Sequence, residues 1–297
     1  MTTAMVLCAG LGTRLRPLSD ELAKPLMPIG DRPVLAHILE TLGRAAIEDV
    51  VINTHHRPDD FDLRIKSMSS KVQVLHEIEI LGTAGGVAHA AGALGPGEIV
   101  VWNGDIVAPE LDARSLLGSQ GGGGAQMLWV VEPLGRGNGT VGLDENGNIV
   151  RLRGEVFGRE ASGGNFLGVQ ALGATVREGL PAQGCLVADV ALPLLRRGGR
   201  IASLRYDGPW DDIGTSSALL QANLRWLERR GLPAWVAAGA QIAGEVQLER
   251  SIVGPGAKVR GAGLVRDCVV FADGELTAPA ERTLAAPWTH VSLPLPG

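Results

Sequence analysis

The strongest constraint on the fold of this chain lies in its first residues. Ala4 to Ala9 is an unbroken apolar run, which is typical of a strand buried on both faces of a parallel sheet. The run ends in Gly10-Leu11-Gly12-Thr13-Arg14, where two glycines allow backbone conformations and close approaches that a Cβ would prevent. Backbone amides of such a loop form an anion-binding concavity. Arg14, Arg16 and Lys24 add cations nearby, so this segment predicts a polyphosphate site.

Two well-known phosphate-binding motifs do not fit this loop. The dinucleotide fingerprint G-x-G-x-x-G needs a glycine at its sixth position, and Leu15 stands there. A P-loop needs a Gly-Lys pair, and the chain contains none. If the loop binds phosphate, it does so with a motif of another kind. The structural alternative is that the loop is only a glycine turn whose charged side chains are solvated.

Composition excludes several classes of protein. The 297 residues are 45% hydrophobic and 20% charged, as in ordinary globular proteins, and the length allows one large and one small domain. A net charge of −5 argues against a nucleic-acid surface. No apolar run approaches a membrane span, and Cys8, Cys185 and Cys268 lack the spacing of a zinc site or a disulfide framework. We expect a cytoplasmic protein that binds neither nucleic acid nor membrane.

Apolar runs alternate with helical patterns over the first two thirds of the chain. This order predicts an α/β fold with a Rossmann-like, doubly wound, mostly parallel sheet over residues 1–231. Asp31 and Pro33 are expected to begin the first helix, and Thr83 to cap a later one. Residues 121–124 are four glycines and indicate a connector. Predicted strands cover residues 49–53, 72–77, 99–103, 125–131, 164–170 and 201–206, and predicted helices cover 58–68, 187–197 and 216–230.

Residues 234–297 have a different pattern. Val253, Val259, Val265 and Phe271 recur every six residues, with glycines between them. A six-residue period with glycine at the corners indicates a left-handed parallel β-helix, here of two to three coils at about eighteen residues per coil. An irregular β tail is the alternative. So short a β-helix suggests a homo-oligomer, possibly formed through this C-terminal domain, because one end of the stack needs a cap.

Three further stretches carry chemistry. A predicted helix begins with the glycine-rich segment Leu81-Gly-Thr-Ala-Gly-Gly-Val87. Its glycines would let either a flat ligand lie against the backbone or the helix pack tightly on the sheet. Asp105 follows a strand, and side chains at the carboxyl ends of parallel strands point into the ligand crevice of α/β sheets. Asp211 and Asp212 precede a helix, where an acidic pair also suits the helix N-terminus. His55 and His56 have no third ligand that would indicate a metal site.

The first stretch resembles the signature of the sugar-nucleotide pyrophosphorylases, G-x-G-T-R-[LM]-x-P followed by K-P-[LM]. Gly10, Gly12, Thr13, Arg14, Leu15, Pro17, Lys24, Pro25 and Leu26 match it. The other stretches resemble the family's L-G-T-A-G-[AG], its G-D element and its W-x-D-[IVT]-G-T, which aligns Asp212 rather than Asp211 with a metal ligand. The chain, with its β-helix tail, looks most like the mannose-1-phosphate guanylyltransferase-like group.

The resemblance implies a site residue by residue. It implies catalytic roles for Arg14 and Lys24, and Mg²⁺ held by Asp105 and Asp212. The implied nucleotide-binding residues are Leu7, Ala9, Gly10, Gly12, Thr13, Gly82, Thr83, Gly85 and Gly86. Those implied near the sugar phosphate are Asn103, Gly142, Arg151, Arg153 and Asn165. The family often continues with Glu-Lys-Pro, whose lysine is missing here, and Arg151 or Arg153 is expected to replace it.

The implied reaction transfers NMP from an NTP to a sugar 1-phosphate and releases pyrophosphate. GTP with mannose 1-phosphate is the first expectation, and UTP or dTTP with glucose or N-acetylated sugar 1-phosphates is the alternative. A regulatory subunit that binds nucleotide sugars without making them is a second class of function. The residues do not decide the base, the sugar, the oligomeric state or any allosteric regulation.

Overall fold

The computed structural model describes residues 3–68, 71–118 and 124–295. Of the four-glycine connector expected at residues 121–124, residues 121–123 lie outside these ranges. The chain forms two compact units, the first comprising Met1–Gly10 and Ile38–Trp210 and the second comprising Leu11–His37 and Asp211–Gly297. The division into domains at residues 231–234 stays a prediction.

Helices and strands broadly alternate up to residue 103, as expected from the sequence, whereas residues 127–172 form consecutive strands. The helices are α1 (Leu18–Glu21), α2 (Val34–Arg44), α3 (Pro58–Met68), α4 (Gly82–His89), α5 (Ala91–Leu94), α6 (Ala174–Glu178), α7 (Leu192–Arg196) and α8 (Ser216–Arg230). The strands up to α8 are β1 (Thr3–Leu7), β2 (Pro28–Ile29), β3 (Arg32–Pro33), β4 (Asp49–Thr54), β5 (Val72–His76), β6 (Ile99–Asn103), β7 (Ile106–Val107), β8 (Met127–Leu134), β9 (Val141–Leu143), β10 (Ile149–Leu152), β11 (Glu155–Val156), β12 (Ser162–Leu172), β13 (Ile201–Arg205) and β14 (Asp211–Asp212). The later strands are β15 (Trp235–Val236), β16 (Gln241–Ile242), β17 (Val246–Glu249), β18 (Ile252–Val253), β19 (Lys258–Arg266), β20 (Val269–Val270), β21 (Glu275–Glu281), β22 (Thr283–Ala286) and β23 (Thr289–Ser292).

The first unit is built on one mixed sheet in the order β11-β10-β9-β12-β6-β1-β4-β5. The four strands β5, β4, β1 and β6 run parallel, as the alternating pattern predicted. The long strand β12 then joins β6 in the antiparallel sense and also pairs with β8 and β9. The α/β sheet is therefore confirmed; besides the four parallel strands, β13 also pairs with β8 in the parallel sense.

Two expected helix starts are wrong. Asp31 does not begin a helix with Pro33, because Pro33 pairs with Pro28 in a small hairpin and α2 begins at Val34. Thr83 does not cap α4, which begins at Gly82 with no side-chain cap. A nearby hairpin takes the place of the first expected start, and at α4 the Ala84 N–H donates to the Gly184 carbonyl 100 residues away, which local cap preferences do not show.

The core of the first unit lies on the parallel strands and continues under the antiparallel ones. Met5, Val51 and Val101 are buried at its centre, and Trp129 extends it below β12. The Trp129 ring stacks on Phe166 with 4.1 Å between ring centroids. This apolar layer holds the ends of the parallel strands in fixed register.

In the second unit, the C-terminal strands form parallel coils. Trp235 pairs with Ile252 and Ile252 with Val269, so each pairing steps 17 residues along the chain. Val253, Val259 and Val265 are buried inside the coils, as their six-residue spacing predicted. The last coil carries an antiparallel strand, β23, on β22. The strands of the tail thus pair in parallel, and the left-handed β-helix stays a prediction.

Candidate active site

The carboxyl ends of the parallel strands are level with one another in the first unit. Leu7 is in register with both Asn53 and Asn103, and the Gly104 N–H donates to the Leu7 carbonyl at 2.9 Å. The residues that follow these strands, Cys8 to Gly10 and Asp105, therefore leave the sheet at the same edge. This edge brings together five of the predicted site residues, namely Leu7, Ala9, Gly10, Asn103 and Asp105.

A buried chain of hydrogen bonds runs along this edge. The Cys8 N–H donates to Asn53 Oδ1 at 2.8 Å, and Asn53 Nδ2 donates to Glu77 Oε1 at 2.6 Å. The Leu81 N–H then donates to Glu77 Oε2 at 3.1 Å. These bonds link the end of β1 to the start of α4, the two elements that carry the predicted nucleotide-binding residues of the first unit.

The Cys8 thiol lies at this edge as a buried neutral group. Burial raises the pKa of the Cys8 thiol far above its usual range, and the nearby Asp105 carboxylate raises it further. The thiolate is the nucleophile and metal ligand in cysteine chemistry. Cys8 therefore acts as a small buried hydrophobic residue.

The glycines of α4 pack against the protein itself. A Cβ on Gly82 would lie 2.4 Å from the Gly184 carbonyl oxygen, and one on Gly85 would lie 2.6 Å from the Ala182 carbonyl oxygen. The Ala84 N–H donates to Gly184, and the Thr83 hydroxyl accepts from the Leu186 N–H. Tight packing thus accounts for Gly82 and Gly85, and nucleotide binding by Gly82, Thr83, Gly85 and Gly86 stays a prediction.

Arg151 is held by the protein on several sides. It donates to both carboxylate oxygens of Glu160, at 2.8 and 3.2 Å, and to the carbonyls of Asn138, Gly139 and Val141. The Arg151 guanidinium lowers the pKa of Glu160, helped by the Gly137 N–H, and Glu160 in turn raises the pKa of Arg151. Any contact between Arg151 and a sugar phosphate would have to replace some of these bonds.

The other residues predicted near the sugar lie on or beside the antiparallel strands. Asn165 Nδ2 donates to Glu132 Oε2 at 2.9 Å on the neighbouring strand. Gly142 leaves room for the Arg151–Glu160 pair, because a Cβ there would lie 2.6 Å from Glu160. Arg153 lies exposed in the turn between β10 and β11 with a φ of 50°. Of the two arginines expected to replace the missing lysine, Arg153 is the more exposed.

In the second unit, three signature residues meet. Lys24 Nζ lies 4.0 Å from Asp212 Oδ1, although 188 positions separate them in the sequence. A Cβ on Gly214 would lie 2.8 Å from Arg14 Nη2 and 3.0 Å from Asp212 Oδ1. The Arg14 guanidinium and the Asp212 carboxylate therefore flank one α-carbon, and we call Arg14, Lys24 and Asp212 the polar cluster.

Local backbone geometry holds both sides of the polar cluster. Gly12 adopts a φ of +64°, and its carbonyl accepts from the Leu15 N–H and the Ser19 hydroxyl, which folds the loop around Thr13 and Arg14. Asp212 Oδ1 accepts from the Gly214 N–H at 2.8 Å. Thr215 caps α8 by accepting from the Ala218 N–H. The capping role suggested for the acidic pair therefore belongs to Thr215.

Asp211 and Asp212 have different surroundings. The Asp211 side chain is fully buried and accepts from Arg225 Nε at 2.6 Å, with Arg229 Nη2 3.6 Å away. The Asp212 side chain is 46% exposed. The buried carboxylate is paired with arginines of α8, whereas the exposed one is partly open to solvent, and its role as a metal ligand stays a prediction.

No group of three or more His, Cys, Asp or Glu side chains within the described ranges could hold a metal ion. His55 Nδ1 lies 2.9 Å from the Glu77 carbonyl oxygen, which gives this histidine a structural contact. Asp105 and Asp212 offer carboxylate oxygens, and Mg²⁺ commonly takes only one or two carboxylates together with substrate phosphates and water. Each of these carboxylates is a ligand of the type that suits Mg²⁺, and a metal-binding role for them stays a prediction.

The family model described as "Nucleotidyl transferase" matches residues 3–155, which is more than half of the chain. The chain belongs to the nucleotidyl transferase family. The matched residues include β1, the Gly10–Arg14 loop, Lys24, α4 and Asp105.

Relatives within this family act on sugar phosphates, as their names state. The chain is 28% identical to a mannose-1-phosphate guanylyltransferase catalytic subunit beta from Dictyostelium discoideum, over 84% of this chain and 72% of that relative. It is 27% identical to an N-acetylmuramate alpha-1-phosphate uridylyltransferase from Caulobacter vibrioides, over 76% of this chain and 97% of that relative.

A solved structure supports the fold. HddC from Yersinia pseudotuberculosis, crystallised with GMP-PN, superposes with a TM-score of 0.63 at 22% sequence identity, over 76% of this chain and 100% of that chain. Within the described residues, no helix is both long and apolar enough to span a membrane.

The sequence did not identify Asn53 and Glu77 as part of the site. Both are polar residues at strand ends, where turns also place such residues, and their pairing spans 24 positions. The sequence contains no signal for them, because it predicted that Thr83 would cap α4 and so left no unpaired N–H groups to account for.

Proposed function

We propose that this protein is a sugar-1-phosphate nucleotidyltransferase that forms an NDP-sugar and pyrophosphate. The polar cluster is the observation that carries the proposal. Within one unit it gathers a guanidinium, an ammonium and an exposed carboxylate from both signature segments. Nucleotidyl transfer between two anionic substrates needs such groups, because repulsion must be offset and the reacting atoms must be positioned.

In the proposed reaction, a phosphate oxygen of the sugar 1-phosphate attacks the α-phosphorus of the NTP. The new P–O bond forms as the bond to the β-phosphate bridging oxygen breaks, and pyrophosphate leaves with that electron pair. The attacking phosphate is already ionised near neutral pH, so the step needs no general base. This fits the described part of the site, which has no paired nucleophile and base.

We assign roles to the chain's own residues on this basis. The Gly10–Gly12 backbone binds the triphosphate, Arg14 the leaving β- and γ-phosphates, and Lys24 the α-phosphate. Asp105 and Asp212 would hold Mg²⁺, which when bound supplies a hard cation that neutralises phosphate charge. Asn103, Gly142, Asn165 and an arginine, Arg151 or Arg153, would bind the sugar phosphate.

For the substrates, we propose GTP and mannose 1-phosphate. A mannose-1-phosphate guanylyltransferase matches 84% of this chain, against 76% for the uridylyltransferase. UTP with an N-acetylated sugar 1-phosphate is the second candidate, because the uridylyltransferase matches over 97% of its own length.

A pyrophosphate-release assay with GTP, UTP, dTTP, ATP and CTP against a panel of sugar 1-phosphates tests this function. We expect Mg²⁺-dependent release that needs both substrates and is fastest with GTP and mannose 1-phosphate. Fastest release with another pair would correct the substrates alone. Nucleotide-sugar binding without release for any pair would contradict the enzyme and support the regulatory function.

We also propose that the C-terminal coils wind left-handed and support a homo-oligomer. The six-residue spacing of their buried valines supports the first point. Light scattering on the full chain and on a chain ending at residue 231 tests the second. A monomeric full chain would contradict it.

A further inference from the structure

Asn53 and Glu77 are buried polar residues that the proposed reaction does not use. Only 2% of Asn53 and 1% of Glu77 is exposed to solvent. A carboxylate in such a position is costly unless its oxygens accept hydrogen bonds. Both Glu77 oxygens do so, one from the Asn53 side chain and one from the Leu81 backbone.

The donors and acceptors in this chain of bonds can be arranged in one way only. The backbone N–H groups of Cys8 and Leu81 only donate, and an ionised Glu77 only accepts. The Asn53 amide must therefore turn its oxygen to Cys8 and its nitrogen to Glu77, as observed. The Asn53 and Glu77 side chains therefore connect the backbone at Cys8 to the backbone at Leu81 in one fixed hydrogen-bonding arrangement.

Packing leaves the pair no room to shift. A Cβ on Gly86 would lie 2.6 Å from Asn53 Nδ2 and 2.9 Å from Glu77 Oε1, so α4 lies directly against both side chains. The similar family signature accepts alanine at this position. Gly86 is needed here because this amide–carboxylate pair occupies the space.

We infer that Asn53 and Glu77 are positioning residues that set the end of β1 against the start of α4, and so shape the NTP site. The inference rests on the proposed function, in which these two segments bind the nucleotide. Neither side chain is assigned a contact with a substrate. Their effect should therefore fall on NTP binding more than on the sugar 1-phosphate.

Exchanging the two functional groups tests the pair. Asn53→Asp places two carboxylates face to face, and Glu77→Gln turns one of the two accepting oxygens into an NH2 donor, which then faces the donor of Asn53 or of Leu81. The double variant, which combines Asn53→Asp with Glu77→Gln, reverses the pair but leaves it complete. Its new aspartate accepts from the Cys8 N–H and from the nitrogen of the new glutamine, whose oxygen accepts from the Leu81 N–H.

We expect each single variant to lower Tm by about 5 °C or more, since each disrupts hydrogen bonding to a buried charge. The KM for the NTP should rise about tenfold, while the KM for the sugar 1-phosphate changes less than about twofold. The double variant should recover most of both losses. The matched control is Thr54→Val, a change of similar volume on the same strand, at a buried hydroxyl that lacks a hydrogen-bond partner among the described residues.

Two results would overturn the inference. One is a double variant no better than the worse single variant. The other is single variants that lose stability without a selective rise in the KM for the NTP, which would leave the pair a purely structural role. A wild-type protein that releases no pyrophosphate with any substrate pair would instead contradict the proposed function, and the recovery of Tm would still report on the pairing.

Discussion

Glycines with similar positive φ values have different surroundings in this chain. Gly30 and Gly95 have φ values of +64° and +66°. A Cβ on Gly30 would lie 2.0 Å from Trp226 Cε2, whereas one on Gly95 would have no atom within 4 Å. The Gly30 N–H also donates to the buried Asn223 Oδ1 at 2.8 Å. At Gly95, glycine is favoured only by the backbone conformation. At Gly30, glycine is also required because the residue packs against Trp226 of α8.

This difference predicts the effect of one substitution at two positions. Gly95→Ala should lower the free energy of unfolding by about 1–3 kcal/mol, the cost of placing a side chain at a positive φ with an extended ψ, a conformation essentially restricted to glycine. Gly30→Ala should lower it by about 3 kcal/mol or more, because overlap with the indole adds to the cost of a positive φ. Urea unfolding of both variants measures the difference, and equal losses would show that Trp226 moves aside without cost.

At the scale of the element, α8 fixes the segment that carries Asp212. Arg225 and Arg229 project from α8 toward the buried Asp211, which directly precedes Asp212. Thr215 caps the same helix, and the Asn223 side chain donates to the Pro28 carbonyl. One helix therefore anchors both the acidic pair and the turn that follows the Lys24 segment. A buried carboxylate is tolerated there because two guanidinium groups offset its charge.

The buried ion pair has a matched control on the surface. Arg225 Nε donates to Asp211 and Arg205 Nε donates to Asp207, both at 2.6 Å, but the Asp207 pair is largely exposed. Asp211→Asn should lower the free energy of unfolding by about 2–3 kcal/mol. Asp207→Asn should change it little, since solvent screens exposed pairs. Similar losses for the two variants in denaturant unfolding would contradict the anchoring role of Asp211.

At the scale of the whole molecule, local sequence signals predicted the elements well. The bounds of β6, α3 and α8 are those expected, because apolar periodicity and end signals agree there. Parallel strands in the tail were expected from the spacing of Val253, Val259 and Val265, although the observed pairings step 17 residues instead of about eighteen. The three residues of the polar cluster were also named as candidate site residues from the sequence, because the motifs that contain them are long.

The parts that the sequence did not predict depend on distant partners. Thr83 accepts from Leu186 instead of capping α4, and Arg151 bonds to Glu160 and three carbonyls. The chain of bonds through Asn53 and Glu77 joins three segments. Periodicity describes neighbours along one element, so contacts between elements that are far apart in sequence are outside its reach.

The central claim is that Asp105 and Asp212 support Mg²⁺-dependent nucleotidyl transfer. The most direct measurement is the rate of pyrophosphate release by Asp105→Ala and Asp212→Ala at saturating Mg²⁺ and substrates, alongside the Tm of each variant. We expect turnover to fall about a thousandfold or more while Tm changes by only a few degrees. Near-normal turnover in either folded variant would contradict the claim.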